Sequence, residues 1–145
     1  MTKILSGSAE ETTALGKEFA TQLKAGEIIG LKGELGSGKT QFVKGICSYY
    51  GIEDDVNSPT FIIANQYEGS DPVTGGKQLI NHLDLYRLNK AVEIDSLGMD
   101  NYFDGKSITL IEWSELMEDY LGRELRTVRF EHGEDEEKRF ITLPE

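Results

Sequence analysis

One cysteine, Cys47, stands alone in a chain of 145 residues. That excludes an internal disulfide and agrees with a reducing compartment. Its place in an apolar helical stretch reads as a small buried side chain, not a catalytic thiol. Apolar runs long enough to span a bilayer are missing as well. The opening Met1-Thr2-Lys3-Ile4-Leu5-Ser6-Gly7 has no long apolar stretch of the kind a secretory leader carries. Both absences point to a cytoplasmic protein. Positive charge is scarce: 15 Lys and Arg stand against 26 Asp and Glu, a net charge of −11. Broad binding to nucleic acid needs Lys and Arg to displace counterions, and this balance opposes it. The five arginines are Arg87, Arg123, Arg126, Arg129 and Arg139. Three of them crowd the C-terminal segment and leave room for a local basic patch, while the acidic remainder suits solubility or a basic protein partner. No Cys/His metal cluster and no supported Ser-His-Asp arrangement is present.

What the chain does have is Gly33-Glu34-Leu35-Gly36-Ser37-Gly38-Lys39-Thr40. This fits the P-loop pattern of glycine, four residues, then Gly-Lys-Ser/Thr. The glycines let the backbone curl so that successive N–H groups face phosphate oxygens. Lys39 can reach the β- and γ-phosphates, and the Thr40 hydroxyl can ligate Mg²⁺. Context supports the match. The apolar run Glu27 to Lys32 reads as a buried strand before the loop. Gln41 to Tyr50 reads as a helix after it, with Phe42, Val43, Ile46 and Tyr49 at helical spacing and Gly51 as its stop. The helix N-terminus then aims its dipole at the phosphates.

The rest of the chain supplies one α/β domain over residues 1–145, long enough for a real core. Lys3 to Ser6 reads as a first strand. Ser8-Ala9-Glu10-Glu11 is a capping box opening a helix to about Lys24, with Leu15, Phe19 and Leu23 facing the core. Further strands are expected over Phe61–Tyr67, Gln78–Leu85, Ser107–Ile111, Glu124–Glu131 and Lys138–Leu143, with Glu68 to Lys77 as a hairpin loop and His132 to Asp135 as a turn. Short helices are expected over Asn89–Leu97 and from a Ser114 cap through Tyr120, stopped by Gly122. Helix-flanked strands early and successive strands late predict a mixed, mostly parallel sheet flanked by helices, a P-loop NTPase-like domain.

A P-loop holds phosphate but needs partners for the metal and the nucleophile. Open α/β sheets bind ligands at the C-terminal ends of strands, so acids there are the candidates. Asp84 ends Leu79-Ile80-Asn81-His82-Leu83-Asp84, and Glu112 ends Ile108-Thr109-Leu110-Ile111-Glu112. A carboxylate just past an apolar strand is how a Walker B residue holds Mg²⁺. The alternative for each is a solvated strand-end acid. Trp113, the sole tryptophan, packs in the core or lies by the nucleotide. His82 reads as a hydrogen-bonded structural residue before a catalyst. Arg87 is either a phosphate-directed cation or half of an ion pair.

Taken in order, Thr12 to Gly16 (Thr-x-x-Leu-Gly), Gly33 to Thr40, Ser58-Pro-Thr-Phe61, His82-Leu-Asp-Leu-Tyr-Arg-Leu88 and Ile111-Glu-Trp113 resemble the TsaE (YjeE) family of small P-loop ATPases. The resemblance covers nearly the whole chain. It implies a helper ATPase for N6-threonylcarbamoyladenosine formation at position 37 of tRNA. Such a helper acts with the TsaD–TsaB transferase complex and meets tRNA only through it. It also implies ATP and Mg²⁺ as cofactors, with Glu34, Leu35, Gly36, Ser37, Gly38, Lys39 and Thr40 cradling the phosphates. Thr40 and Glu112 would be the metal ligands, Asp84 would position or deprotonate the attacking water, Thr12 would lie near the base, and Thr60 would contact the γ-phosphate from a switch-like loop. Ser114 stands where many relatives have proline, which is expected to change the local turn and leave metal binding intact. With no evident internal arginine finger, a weak intrinsic rate and activation by a partner are expected. The rivals are a non-hydrolysing nucleotide switch that gates docking and a small P-loop kinase. The chain is short and arginine-poor for the kinase.

Overall fold

The computed structural model describes residues 2–34, 38–52, 64–85, 94, 102–135 and 137–144. Among these residues seven strands and three helices follow in the order β1 (Thr2–Ser6), α1 (Ala9–Ala20), β2 (Ile28–Gly33), α2 (Lys39–Tyr49), β3 (Ala64–Ser70), β4 (Lys77–Asp84), β5 (Ile108–Glu112), α3 (Glu115–Leu121), β6 (Arg126–His132) and β7 (Arg139–Leu143). The strands form one sheet ordered β1-β7-β6-β2-β5-β4-β3. β2 pairs in parallel with β5 and β6, and β5 with β4; β1 with β7, β6 with β7 and β3 with β4 are antiparallel. Followed across the sheet, β4, β5, β2, β6 and β1 run one way and only β7 and β3 oppose them. The α/β reading with a mixed, mostly parallel sheet is the one observed.

The centre of the sheet is where its strands are most apolar. Every residue of β5 is buried, as are Gly30 and Leu31 beside Ile29 in β2. Burial on both faces is what a parallel strand covered by helices requires. One face packs Ile29, Leu31, Leu110, Val128 and Phe130 beneath α1 and α2. Phe19 of α1, Phe42 of α2 and Phe130 of β6 meet in sequence, the first pair tilted and the second edge-to-face, with ring centroids 5.6 and 5.3 Å apart. The other face gathers Leu83, Ile111, Met117 and Leu125 around α3.

The two long helices touch backbone to backbone. A Cβ added to Gly16 would lie 2.2 Å from the Phe42 carbonyl oxygen, and one on Gly45 would lie 2.0 Å from that of Thr13. Only glycine fits at either crossing point.

Three expectations shift. α1 stops at Ala20, short of Lys24, because Thr21, Gln22 and Leu23 donate to carbonyls three residues back and tighten the chain out of the helix; Leu23 still packs on the core. The hairpin loop narrows to residues 71–76, since Glu68, Gly69 and Ser70 pair with Leu79, Gln78 and Lys77. Ser114 occupies the N-cap position of α3 in a helical conformation, and its hydroxyl caps nothing. The expected Asn89–Leu97 helix, apart from Ile94, and the segment from Ser58 to Phe61 lie outside the described residues. Among the described residues no helix is long and apolar enough to cross a membrane.

Candidate functional site

The parallel register brings the C-terminal ends of β2, β4, β5 and β6 to one edge of the sheet. There the buried strand β2 delivers Gly33 and Glu34, and α2 begins five residues later at Lys39. Gly38, at the helix N-cap, has φ 102°, a left-handed conformation that admits glycine readily. No side chain caps this end, so the positive pole of α2 faces the loop. Leu35, Gly36 and Ser37 lie outside the described residues, as do Thr60 and Arg87.

Lys39 turns back across the base of the loop. Its ammonium donates to the Gly33 carbonyl at 2.6 Å, lies 3.9 Å from Glu112 Oε1 and sits 4.4 Å above the centre of the Trp113 ring. The side chain is only 4% exposed. Burial pushes its pKa below the ordinary lysine value of 10.5, while the charges of Glu112, Asp84 and Glu115 pull it back up. Trp113 holds its indole beneath the ammonium with φ 57°, the only non-glycine residue with positive φ among those described. Strained backbone of this kind persists where its surroundings over-determine it.

Asp84 and Glu112 stand directly opposite each other in the β4–β5 ladder. Adjacent parallel strands in register send such residues to the same face, here the face beneath α2. Glu112 is buried, and its Oε2 accepts from His82 Nε2 at 2.6 Å; an ionised carboxylate can only accept, so the imidazole is the donor. Thr40 opens α2 beside Lys39 and is partly exposed. A threonine hydroxyl and a carboxylate are hard oxygen donors of the sort Mg²⁺ takes alongside phosphate oxygens and water, so the donor set fits that ion. No group of three or more His, Cys, Asp or Glu side chains suited to a metal occurs among the described residues.

Thr12 is buried against this same loop. Its methyl lies 3.5 Å from where a Cβ on Gly38 would be, and its hydroxyl is shared with Ser6 Oγ at 2.7 Å and the Ser8 carbonyl at 3.2 Å. The side chain of Glu34 points outward, 87% exposed, toward His132 Nε2 at 3.9 Å. A cleft of about 490 Å³ opens next to it, walled by Trp113, Phe130, Glu115 and Glu131. Arg139 is the residue that the sequence did not single out. From the start of β7 its Cγ comes within 3.8 Å of the same Gly38 position. No motif marks it; only the sheet order carries the chain end back to the P-loop. Arg126, by contrast, pairs with Glu27 at 2.6 Å, away from the loop.

The family model for "Threonylcarbamoyl adenosine biosynthesis protein TsaE" matches residues 6–141. The chain belongs to the TsaE family. Curated members similar to it include the "tRNA threonylcarbamoyladenosine biosynthesis protein TsaE" of Bacillus subtilis (strain 168), 38% identical over 89% of this chain and 77% of that protein. The protein of the same name from Rickettsia conorii is 39% identical over 94% of this chain and 74% of its own length. Among solved structures, YdiB of Bacillus subtilis superposes with a TM-score of 0.76 at 32% identity, covering 98% of this chain and 83% of that one. The TsaE match thus spans both the P-loop and the strand ends that carry Asp84 and Glu112.

Proposed function

We propose that this chain is a Mg²⁺-dependent ATPase of low intrinsic rate. On this reading it supports N6-threonylcarbamoyladenosine formation at position 37 of tRNA by acting with TsaD and TsaB in the cytoplasm. The observation that carries the reading is the convergence, at one sheet edge, of a buried Lys39, an in-register Asp84–Glu112 pair and the uncapped N-terminus of α2. In this proposal the loop from Glu34 to Thr40 cradles the phosphates, and Lys39 leaves the Gly33 carbonyl for the β- and γ-oxygens. Thr40 and Glu112 hold the metal ion. Held there, Mg²⁺ would supply positive charge to neutralise the charge that develops on the phosphate oxygens. Asp84 positions or deprotonates the attacking water, whose oxygen bonds to the γ-phosphorus as the bond to the β-phosphate oxygen breaks, giving ADP and inorganic phosphate with the water's proton passed to Asp84 or to solvent. Thr12 lies toward the nucleoside, and Thr60 approaches the γ-phosphate. Lys39 starts out engaged by protein groups, which supports a slow basal rate and a partner that completes the site.

The test is ATP hydrolysis by the chain alone and with purified TsaD and TsaB. The expected result is slow turnover, strongly stimulated by the two proteins, and lowered about 10²-fold or more in Asp84→Ala. Lys39→Ala should lose both affinity and turnover. ATP binding without hydrolysis under either condition would replace the ATPase with a nucleotide switch. Unchanged binding and hydrolysis in Lys39→Ala would overturn the site.

A further inference from the structure

The geometry points to His82 as a positioning residue that fixes the Glu112 carboxylate for the metal, an inference that rests on the ATPase reading above. His82 has no exposed surface, so it touches neither nucleotide nor solvent and acts only through what it binds. What it binds is Glu112: Nε2 donates to Oε2 at 2.6 Å, while the other oxygen, Oε1, is the one 3.9 Å from Lys39. One carboxylate oxygen is therefore tied down inside the sheet. The other is presented to the loop.

The strand geometry explains why a histidine two residues before Asp84 can do this. Side chains alternate along β4, so His82 and Asp84 share the face beneath α2. In the ladder His82 stands opposite Leu110 and Asp84 opposite Glu112. Glu112 is the diagonal neighbour of His82, a span that a ring covers and a shorter side chain does not. The intervening Leu83 faces the opposite cluster around α3. His-x-Asp at strand spacing thus divides the work: the first residue orients the metal carboxylate from below and the second faces the reacting end.

The second imidazole nitrogen sharpens the assignment. His82 Nδ1 is buried with no hydrogen-bond partner among the described residues. A histidine kept for a satisfied core network would have both nitrogens engaged. Here, among the described residues, Glu112 is the only hydrogen-bond partner of the ring. Partners of metal-ligating groups act in this way, and their loss commonly lowers metal affinity about 10–100-fold.

The experiment is calorimetric binding of a non-hydrolysable ATP analogue to the full chain across a Mg²⁺ series and in EDTA. His82→Leu is expected to raise the Mg²⁺ concentration needed for half-maximal enhancement about 10-fold or more, with metal-free binding unchanged. His82→Gln, which can donate from nearly the same place, should restore most of the loss, and His82→Asn, too short to reach, should not. In a Glu112→Gln background His82→Leu should add nothing, because the pair acts as a unit. An unaltered Mg²⁺ dependence in His82→Leu, or an equal drop whether or not Glu112 is present, would overturn the assignment. If His82→Leu does not fold, Gln against Asn decides it: equal Mg²⁺ dependence in the two would reject it. A wild-type chain without any Mg²⁺-dependent gain would instead remove the ATPase reading, and this inference with it.

Discussion

Ser114 carries a hydroxyl that its surroundings do not use. The residue is fully buried, and its Oγ has no hydrogen-bond partner among the described residues, although it lies only 2.6 Å from where a Cβ on Gly30 would be. A buried, unpaired hydroxyl costs about 1–3 kcal/mol on mutational scales. Ser114→Ala is therefore expected to stabilise the fold by about 1 kcal/mol, read as a higher midpoint in urea denaturation. A lower midpoint would mean that the hydroxyl is satisfied after all. At this scale the sequence was informative where chemistry follows from residue type and local context. The glycine pattern puts Lys39 and Thr40 at the start of a helix, and the apolar runs put Asp84 and Glu112 at strand ends, which is where the structure has them. It was silent where a contact depends on register. That His82 meets Glu112, thirty positions away, depends on how β4 slides against β5, and a one-residue slip would send the ring to the other face. Arg139 reaches Gly38 only because β7 lies between β1 and β6.

The α1–α2 pair is the element on which the P-loop helix rests, and its closeness is set by two glycines. Replacing an exposed helical glycine with alanine ordinarily gains about 1 kcal/mol. Here the sign reverses. Alanine at position 45 would drive its methyl into the Thr13 carbonyl, and backbone cannot rotate away as a side chain can. Gly45→Ala should destabilise by about 1–3 kcal/mol, seen as a lower melting temperature, and Gly16→Ala should behave alike. A neutral or stabilising Gly45→Ala would mean that the helices are not in contact there. Elements were legible to the extent that they were periodic: the strand before the P-loop and the helix after it begin and end within two residues of expectation. The β3–β4 hairpin was less so. Glu68-Gly69-Ser70 has loop composition, yet it continues the strand because Ser70 N–H reaches the Tyr50 carbonyl at 2.8 Å, and a Cβ on Gly69 would sit 2.5 Å from that oxygen. Tertiary contact overrides local preference there.

Over the whole molecule, a net charge of −11 sets what the chain can approach unaided. Polyanions are repelled at long range, and the few basic side chains are partly committed: Lys32 lies 2.6 Å from Glu118, and Arg126 pairs with Glu27. The isolated chain is expected to show no measurable tRNA binding at physiological salt in a filter-binding assay, with tRNA retained only when TsaD and TsaB are added. Retention by the chain alone, weakening steeply with salt, would refute this. The α/β class was legible from the alternation of strands and helices, whereas strand order was not, since nothing local says that β6 and β5 flank β2. The same arrangement that parks Lys39 over Trp113 at 4.4 Å has an optical consequence. With one tryptophan in the chain, all of its indole emission originates beside the Lys39 ammonium, so any displacement of that cation is written directly into the fluorescence spectrum of the unlabelled protein.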